Sequence, residues 1–223
     1  MSDHDDASEA ASRVRLSLLW AIYLGAFGCI FPYLVLHLET VVGLSKGRIG
    51  TVMAVIPLAG IIAQPLWGAA SDQSGRRREI MVLLSLGGAV CLVILGRAES
   101  FGTVLAVALF MSIFVTALVP LLTASTFAAM GTRSRAAFGS VRLWGTLGFL
   151  LGMESVGRIA RLDPEAGLLW FGSARFLVIA AALILAGGLM MRSMPPVADL
   201  SLRSPRGAAR RLLSDPGVRR ILL

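Results

Sequence analysis

Apolar residues fall in six runs of membrane-crossing length, separated by short polar stretches. The runs cover about Ser17–His37, Ile49–Ala70, Ile80–Gly96, Thr103–Ala124, Val141–Ile159 and Leu168–Met191. No water reaches a backbone in the hydrocarbon core of a bilayer. Each N–H and C=O must then bond within its own segment, so runs of this length predict helices. The expected fold class is an all-α membrane protein, with a six-helix transmembrane bundle over residues 17–192. Residues 1–16, with Asp3, Asp5, Asp6 and Glu9 before Arg13 and Arg15, read as a short disordered tail. The first run is too long for the apolar core of a signal peptide and lacks a small-residue cleavage site, so it reads as a retained helix.

Composition agrees. Hydrophobic residues make up 56% of the chain and charged residues 15%, with a mean hydropathy of +0.78. A soluble domain cannot hide that much apolar surface. Cys29 and Cys91 both lie inside apolar runs and read as small hydrophobic residues rather than a disulfide. With only His4 and His37, and no CxxC or HExxH pattern, a metal site has no support.

The net charge of +8 raises the question of nucleic acid, but the basic residues sit in short loops and a tail without interleaved aromatics. Attraction of juxtamembrane arginines to anionic headgroups accounts for them better, and no nucleic-acid partner is expected. Fourteen of the twenty-one Lys and Arg residues fall on one side of the predicted bundle and five on the other, with Arg142 and Arg175 inside spans. The richer side is cytoplasmic by the positive-inside rule, which puts both ends there. Without the seven arginines from Arg192 onward the contrast is seven to five, so that stretch and the triplet Arg76-Arg77-Arg78 decide the orientation.

The most specific pattern is Gly68-Ala-Ala-Ser-Asp72-Gln-Ser-Gly75-Arg76-Arg77-Arg78, between the second and third runs. A glycine permits the tight reversal and the arginines hold the turn at the membrane surface. This G-x-x-x-D-x-x-G-R-R arrangement resembles the loop between helices 2 and 3 of the major facilitator superfamily of secondary transporters. The resemblance implies a gating role for Gly68, Asp72, Gly75, Arg76 and Arg77. In that family the aspartate and the first arginine join a charge network that closes the cytoplasmic side, and the first glycine lets helices 2 and 11 approach. The alternative is topological, a charged turn that anchors a hairpin.

A second pattern opens the fifth run: Phe138-Gly139-Ser140-Val141-Arg142-Leu143-Trp144-Gly145-Thr146-Leu147-Gly148-Phe149. With Phe31-Pro32-Tyr33, Leu44-Ser45-Lys46 and Gln64-Pro65-Leu66-Trp67-Gly68, it resembles the lactose permease group, including the phenylpropionate and nucleoside proton symporters. The resemblance implies that Arg142 binds solute and that Phe149 stacks on it. Seven residues of helix fall about 20° short of two turns and rise about 10 Å, so Arg142, Thr146, Phe149 and Met153 share a face. An arginine within a span costs roughly 2.5–3.5 kcal/mol at mid-membrane, which favours a cavity or a partner; near the span's end it can instead snorkel. The stretch Leu121-Leu122-Thr123-Ala124-Ser125-Thr126 carries no acid where lactose permease pairs its arginine with one. Galactoside recognition in that form is therefore not expected, and an anionic or hydroxyl-rich solute suits the arginine better.

Glu154 is the one acid well inside a span. It lies about 18 Å and about 120° from Arg142 along an ideal helix, too far to pair with it. It could carry a proton, or pair with Arg158 one turn on. Gly148 and Gly152, and Gly60, Gln64 and Gly68, form small-residue steps suited to helix contact. Gln64 could instead line a cavity. Tyr23, Phe27 and Tyr33 could line it or pack, while His37 and Arg175 read as interfacial residues.

These readings converge on the amino-terminal half of a twelve-helix transporter of the bacterial inner membrane. Residues 193–223 are expected to be the basic central cytoplasmic loop, ending on Ile221-Leu222-Leu223 as the start of a truncated seventh helix. A carboxy-terminal six-helix half is then the missing partner, since the solute site of that fold lies between the halves. The implied activity is alternating-access movement of a small organic solute, with a proton gradient as the coupling source and no cofactor. No phosphate-binding glycine loop and no catalytic set of residues appears, which disfavours an ATP-driven pump and an enzyme. A drug or metabolite efflux antiporter and a non-transport six-helix regulatory or scaffold protein are the rival readings.

Overall fold

The computed structural model describes residues 2–130, 134–162 and 174–194. It contains α1 (Ser2–Thr40), α2 (Lys46–Ser74), α3 (Arg77–Leu95), α4 (Phe101–Val115), α5 (Leu118–Met130), α6 (Ser134–Leu162) and α7 (Arg175–Arg192). Each expected span has its helix among the described residues, with a break in the fourth. Among the described residues, five stretches are long and apolar enough to cross a membrane: Ala10–Thr40, Lys46–Ser74, Arg77–Leu95, Phe101–Met130 and Arg175–Arg192. The remaining expected span is α6, which carries Arg142, Glu154 and Arg158. The expected central loop from Pro195 onward lies outside the described residues, as does the start of the sixth run, with Trp170 and Phe171.

Three expectations need correction. The amino-terminal stretch is not a separate disordered tail, because α1 is continuous from Ser2. Four acids and three alanines between Asp3 and Ala11 suit a helix start, where acids favour the dipole and alanine costs no side-chain entropy. The fourth span is longer than Thr103–Ala124 and is broken at Thr116–Ala117. Pro120 has no N–H to give the Thr116 carbonyl, and the ladder resumes with the Leu121 amide on the Ala117 carbonyl at 3.1 Å. His37 is buried, not interfacial, with its ring 5.6 Å from that of Phe176.

α1 runs through the middle, packed along α6 and α7; α3 lies between α4 and α7, and α2 packs on α4. Leu19, Trp20, Tyr23, Ile30 and Leu34 of α1 are almost wholly buried. The α1–α6 contact is made of backbone. A methyl group added at Gly28 would collide with the Phe149 carbonyl, one at Gly148 with Ala21, and one at Gly152 with the Gly25 carbonyl. With no hydrophobic drive between helices in lipid, such close approach is what lets dispersion hold them. Polar anchors cross the same core. The Tyr23 and Ser85 hydroxyls lie 2.9 Å apart, the Tyr33 hydroxyl donates to the Met153 carbonyl at 2.7 Å, and the Trp67 indole donates to the Ile113 carbonyl at 2.8 Å.

Candidate functional site

A cavity of about 420 Å³ opens between α1, α2 and α4. From α1 it receives Phe27, Ile30 and Phe31, with the two rings edge-to-face at 5.7 Å. Helix α2 supplies Met53, Ile56, Pro57 and Gln64, while α4 and its broken end supply Met111, Ser112, Val115 and Thr116. The hydroxyls are turned onto their own helix: Ser112 donates to the Ala108 carbonyl and Thr116 to the Ser112 carbonyl, both at 2.6 Å. That leaves Gln64 as the wall's one amide side chain, on an otherwise apolar surface.

The solute residues named from sequence separate here. Gln64 lines the cavity; Arg142, Thr146 and Phe149 do not. The half-buried Arg142 guanidinium lies 4.6 Å over the Trp20 ring. Trp20 in turn donates from its indole to the Thr126 hydroxyl of α5 at 3.1 Å and meets the Phe138 ring edge-on at 6.1 Å. Gly145 leaves the room, since a methyl group there would press on Leu24, Trp20 and the guanidinium. Thr146 is exposed and Phe149 half-buried. Met53, Met111, Ser112 and Thr116 were missed in the sequence. The spacing of Ser112 and Thr116, one turn apart inside an apolar run, was the available signal.

The polar motif is mostly helix. Its residues through Ser74 complete α2, and only Gly75 and Arg76 stand outside the helices. Gly75 has φ +66°, the left-handed conformation a helix end favours, and its N–H bonds the Ser71 carbonyl at 3.1 Å. Asp72 pairs with Arg77 at 2.8 Å, and Arg77 also donates from Nε to the buried Ser71 hydroxyl at 3.1 Å. Where the resemblance implied the first arginine, the pair uses the second: the Arg76 side chain is exposed, and its backbone N–H donates to Ser74 Oγ at 3.2 Å. Gly68 faces open space, with nothing within 4 Å of where a methyl group would sit.

Glu154 and Arg158 form the i,i+4 pair, Oε1 to Nε, at 3.0 Å. No group of three or more His, Cys, Asp or Glu residues that could hold a metal occurs among the described residues.

Residues 13–204 match the model of the MFS_1 like family. Among curated proteins, the chain is 29% identical over 173 residues to the maltose permease of Geobacillus stearothermophilus, covering 77% of this chain and 43% of that protein. It is 29% identical over 181 residues to the raffinose permease of Escherichia coli, covering 76% and 41%. The lactose permease of Citrobacter freundii matches at 27% identity over 181 residues, covering 77% and 42%. The chain thus spans less than half the length of these relatives, which are permeases, not enzymes. Its fold is that of the nucleoside transporter NupG: a substituted variant of that protein superposes with a TM-score of 0.76 at 19% identity, covering 88% of this chain and 48% of that one. The six-helix bundle, the G-x-x-x-D-x-x-G-R-R turn and the match across residues 13–204 place the chain in the MFS_1-like family of the major facilitator superfamily.

Proposed function

We propose that the chain is the amino-terminal half of a secondary transporter that moves a small organic solute by alternating access, coupled to protons. The observation that carries this reading is the cavity between α1, α2 and α4 in a bundle of this family. A second bundle facing it would complete the solute site and rock against it. The open flank at Gly68 suits such a partner. The Asp72–Arg77 pair at the α2–α3 turn is the element that would hold one state shut. Clustered arginines support a cytoplasmic position for that turn and for both ends, in a bacterial inner membrane. Glu154, paired with Arg158, serves structure in this reading, and the proton-carrying acids belong to the other half.

The names of the maltose, raffinose and lactose permeases make saccharides the first solutes to test. The mainly apolar wall favours a second reading, antiport of an apolar metabolite or drug. Uptake of radiolabelled maltose, raffinose and lactose into vesicles bearing the complete protein separates the two. Accumulation that a protonophore abolishes supports symport. Proton-driven loss of an apolar dye, without saccharide uptake, supports export. Absence of both leaves the regulatory or scaffold role standing and ends the transport reading.

A further inference from the structure

We infer that the α1–α2–α4 cavity receives an aryl group of the solute, carrying a hydrogen-bond donor toward Gln64. The assignment deepens the transporter reading and rests on it only in calling the occupant a solute. Three observations support it. The cavity, at about 420 Å³, is nearly three times the roughly 150 Å³ space that admits benzene, so a fused two-ring system fits. Its walls suit π-systems. Phe27 and Phe31 meet edge-to-face, and Met53 and Met111 bring polarizable sulfur that adapts to a ring edge.

The polar endowment is narrow: one amide, whose oxygen accepts and whose NH2 donates, beside two hydroxyls. The Ser112 and Thr116 protons are spent on backbone carbonyls of their own helix. Gln64 makes no side-chain hydrogen bond among the described residues, so its amide is available to a solute. Two prolines leave backbone carbonyls without their helical partner. Pro57 lacks the N–H that would serve the Met53 carbonyl, and Pro120 lacks the one for Thr116; both of those residues stand on the cavity wall. An unsubstituted saccharide would lose water from many hydroxyls here and find few partners, at a cost of about 1–3 kcal/mol for each unmet group. An aromatic ring with one amide or amine loses little.

The test uses the complete protein in membrane vesicles, with all its native cysteines, Cys29 and Cys91 among them, replaced by alanine and Thr116→Cys introduced as a reporter on the wall. The reporter is alkylated with N-ethylmaleimide in the presence of 2-naphthamide, acetamide or glucose at equal concentration. The expected result is that 2-naphthamide slows alkylation at least fivefold and the other two leave it unchanged. At Leu151→Cys, an exposed α6 position outside the cavity, none of the three slows it. In a Gln64→Leu background the half-protecting concentration rises about three- to tenfold, the worth of one hydrogen bond. Equal protection by glucose, no protection by 2-naphthamide, or equal slowing at Leu151→Cys overturns the inference, and an unchanged half-protecting concentration overturns the role of Gln64. Uptake is measured on vesicles bearing the complete protein without the Thr116→Cys and Leu151→Cys substitutions. Protection without uptake ends the transport reading and leaves the site; uptake without protection ends the site and leaves transport.

Discussion

The Arg142 guanidinium rests 4.6 Å over the indole of Trp20, which is tied in turn to Thr126 at 3.1 Å, so a cation on α6, a ring on α1 and a hydroxyl on α5 form one connected unit. Trp20→Phe keeps a ring under the arginine but removes the indole N–H and one of the two fused rings. It should cost about 1–2 kcal/mol, a hydrogen bond between membrane helices plus the buried volume lost. Trp20→Ala, which also empties a site only 1% exposed, should cost about 3–5 kcal/mol. Thermal unfolding in detergent measures both. Equal losses would mean that the ring's packing contributes nothing.

The glycine seam between α1 and α6 predicts a sharp contrast within one residue type. Gly28→Ala drives a methyl group into the Phe149 carbonyl, which belongs to backbone and cannot swing away, and should destabilise by about 1–3 kcal/mol. Gly47→Ala meets nothing within 4 Å and should be neutral or slightly stabilising, because alanine is the better helix former. The yield of monodisperse protein and its unfolding temperature read out the pair.

Gly68 separates stability from transport. A leucine there has open space in this bundle, so Gly68→Leu should leave the thermal stability of the isolated chain within about 0.5 kcal/mol. In the complete protein the same substitution should cut solute uptake at least tenfold, if a second bundle packs on that flank. Undiminished uptake would remove Gly68 from the interface.

The Asp72–Arg77 pair makes a similar distinction. Asp72 has 66% of its side chain exposed, and exposed pairs contribute about 0–1 kcal/mol, so Asp72→Asn should barely move unfolding. A gate would respond differently. Uptake should fall in Asp72→Asn and also in Arg77→Gln, whereas Arg76→Gln, whose side chain is exposed and whose backbone makes the turn contact, should change it less. Matching losses at Arg76 and Arg77 would refute the assignment to the second arginine.

Much of this molecule could be read from its residues. Helices were legible because lipid leaves a backbone no alternative, and Gly75 announced the reversal because left-handed φ favours glycine. The Glu154–Arg158 pair follows from helical spacing alone. Other features were hidden for physical reasons. Hydropathy does not distinguish an apolar residue facing lipid from one facing a cavity, so Met53 and Met111 carried no mark. Arg142 finds its aromatic partner 122 positions away, a distance only tertiary packing closes. The break at Thr116–Ala117 did have a signal, Pro120, whose missing amide frees a carbonyl one turn back.

The α2–α3 turn leaves just Gly75 and Arg76 outside the two helices. From Ser74 to Arg77 is three Cα–Cα steps, at most about 11 Å, little more than the 8–10 Å between packed helix axes. Such a link has little slack. Any tilt of α2 at that end is transmitted to α3 within the length of the tether, so the pair behaves as a single lever with its fulcrum elsewhere.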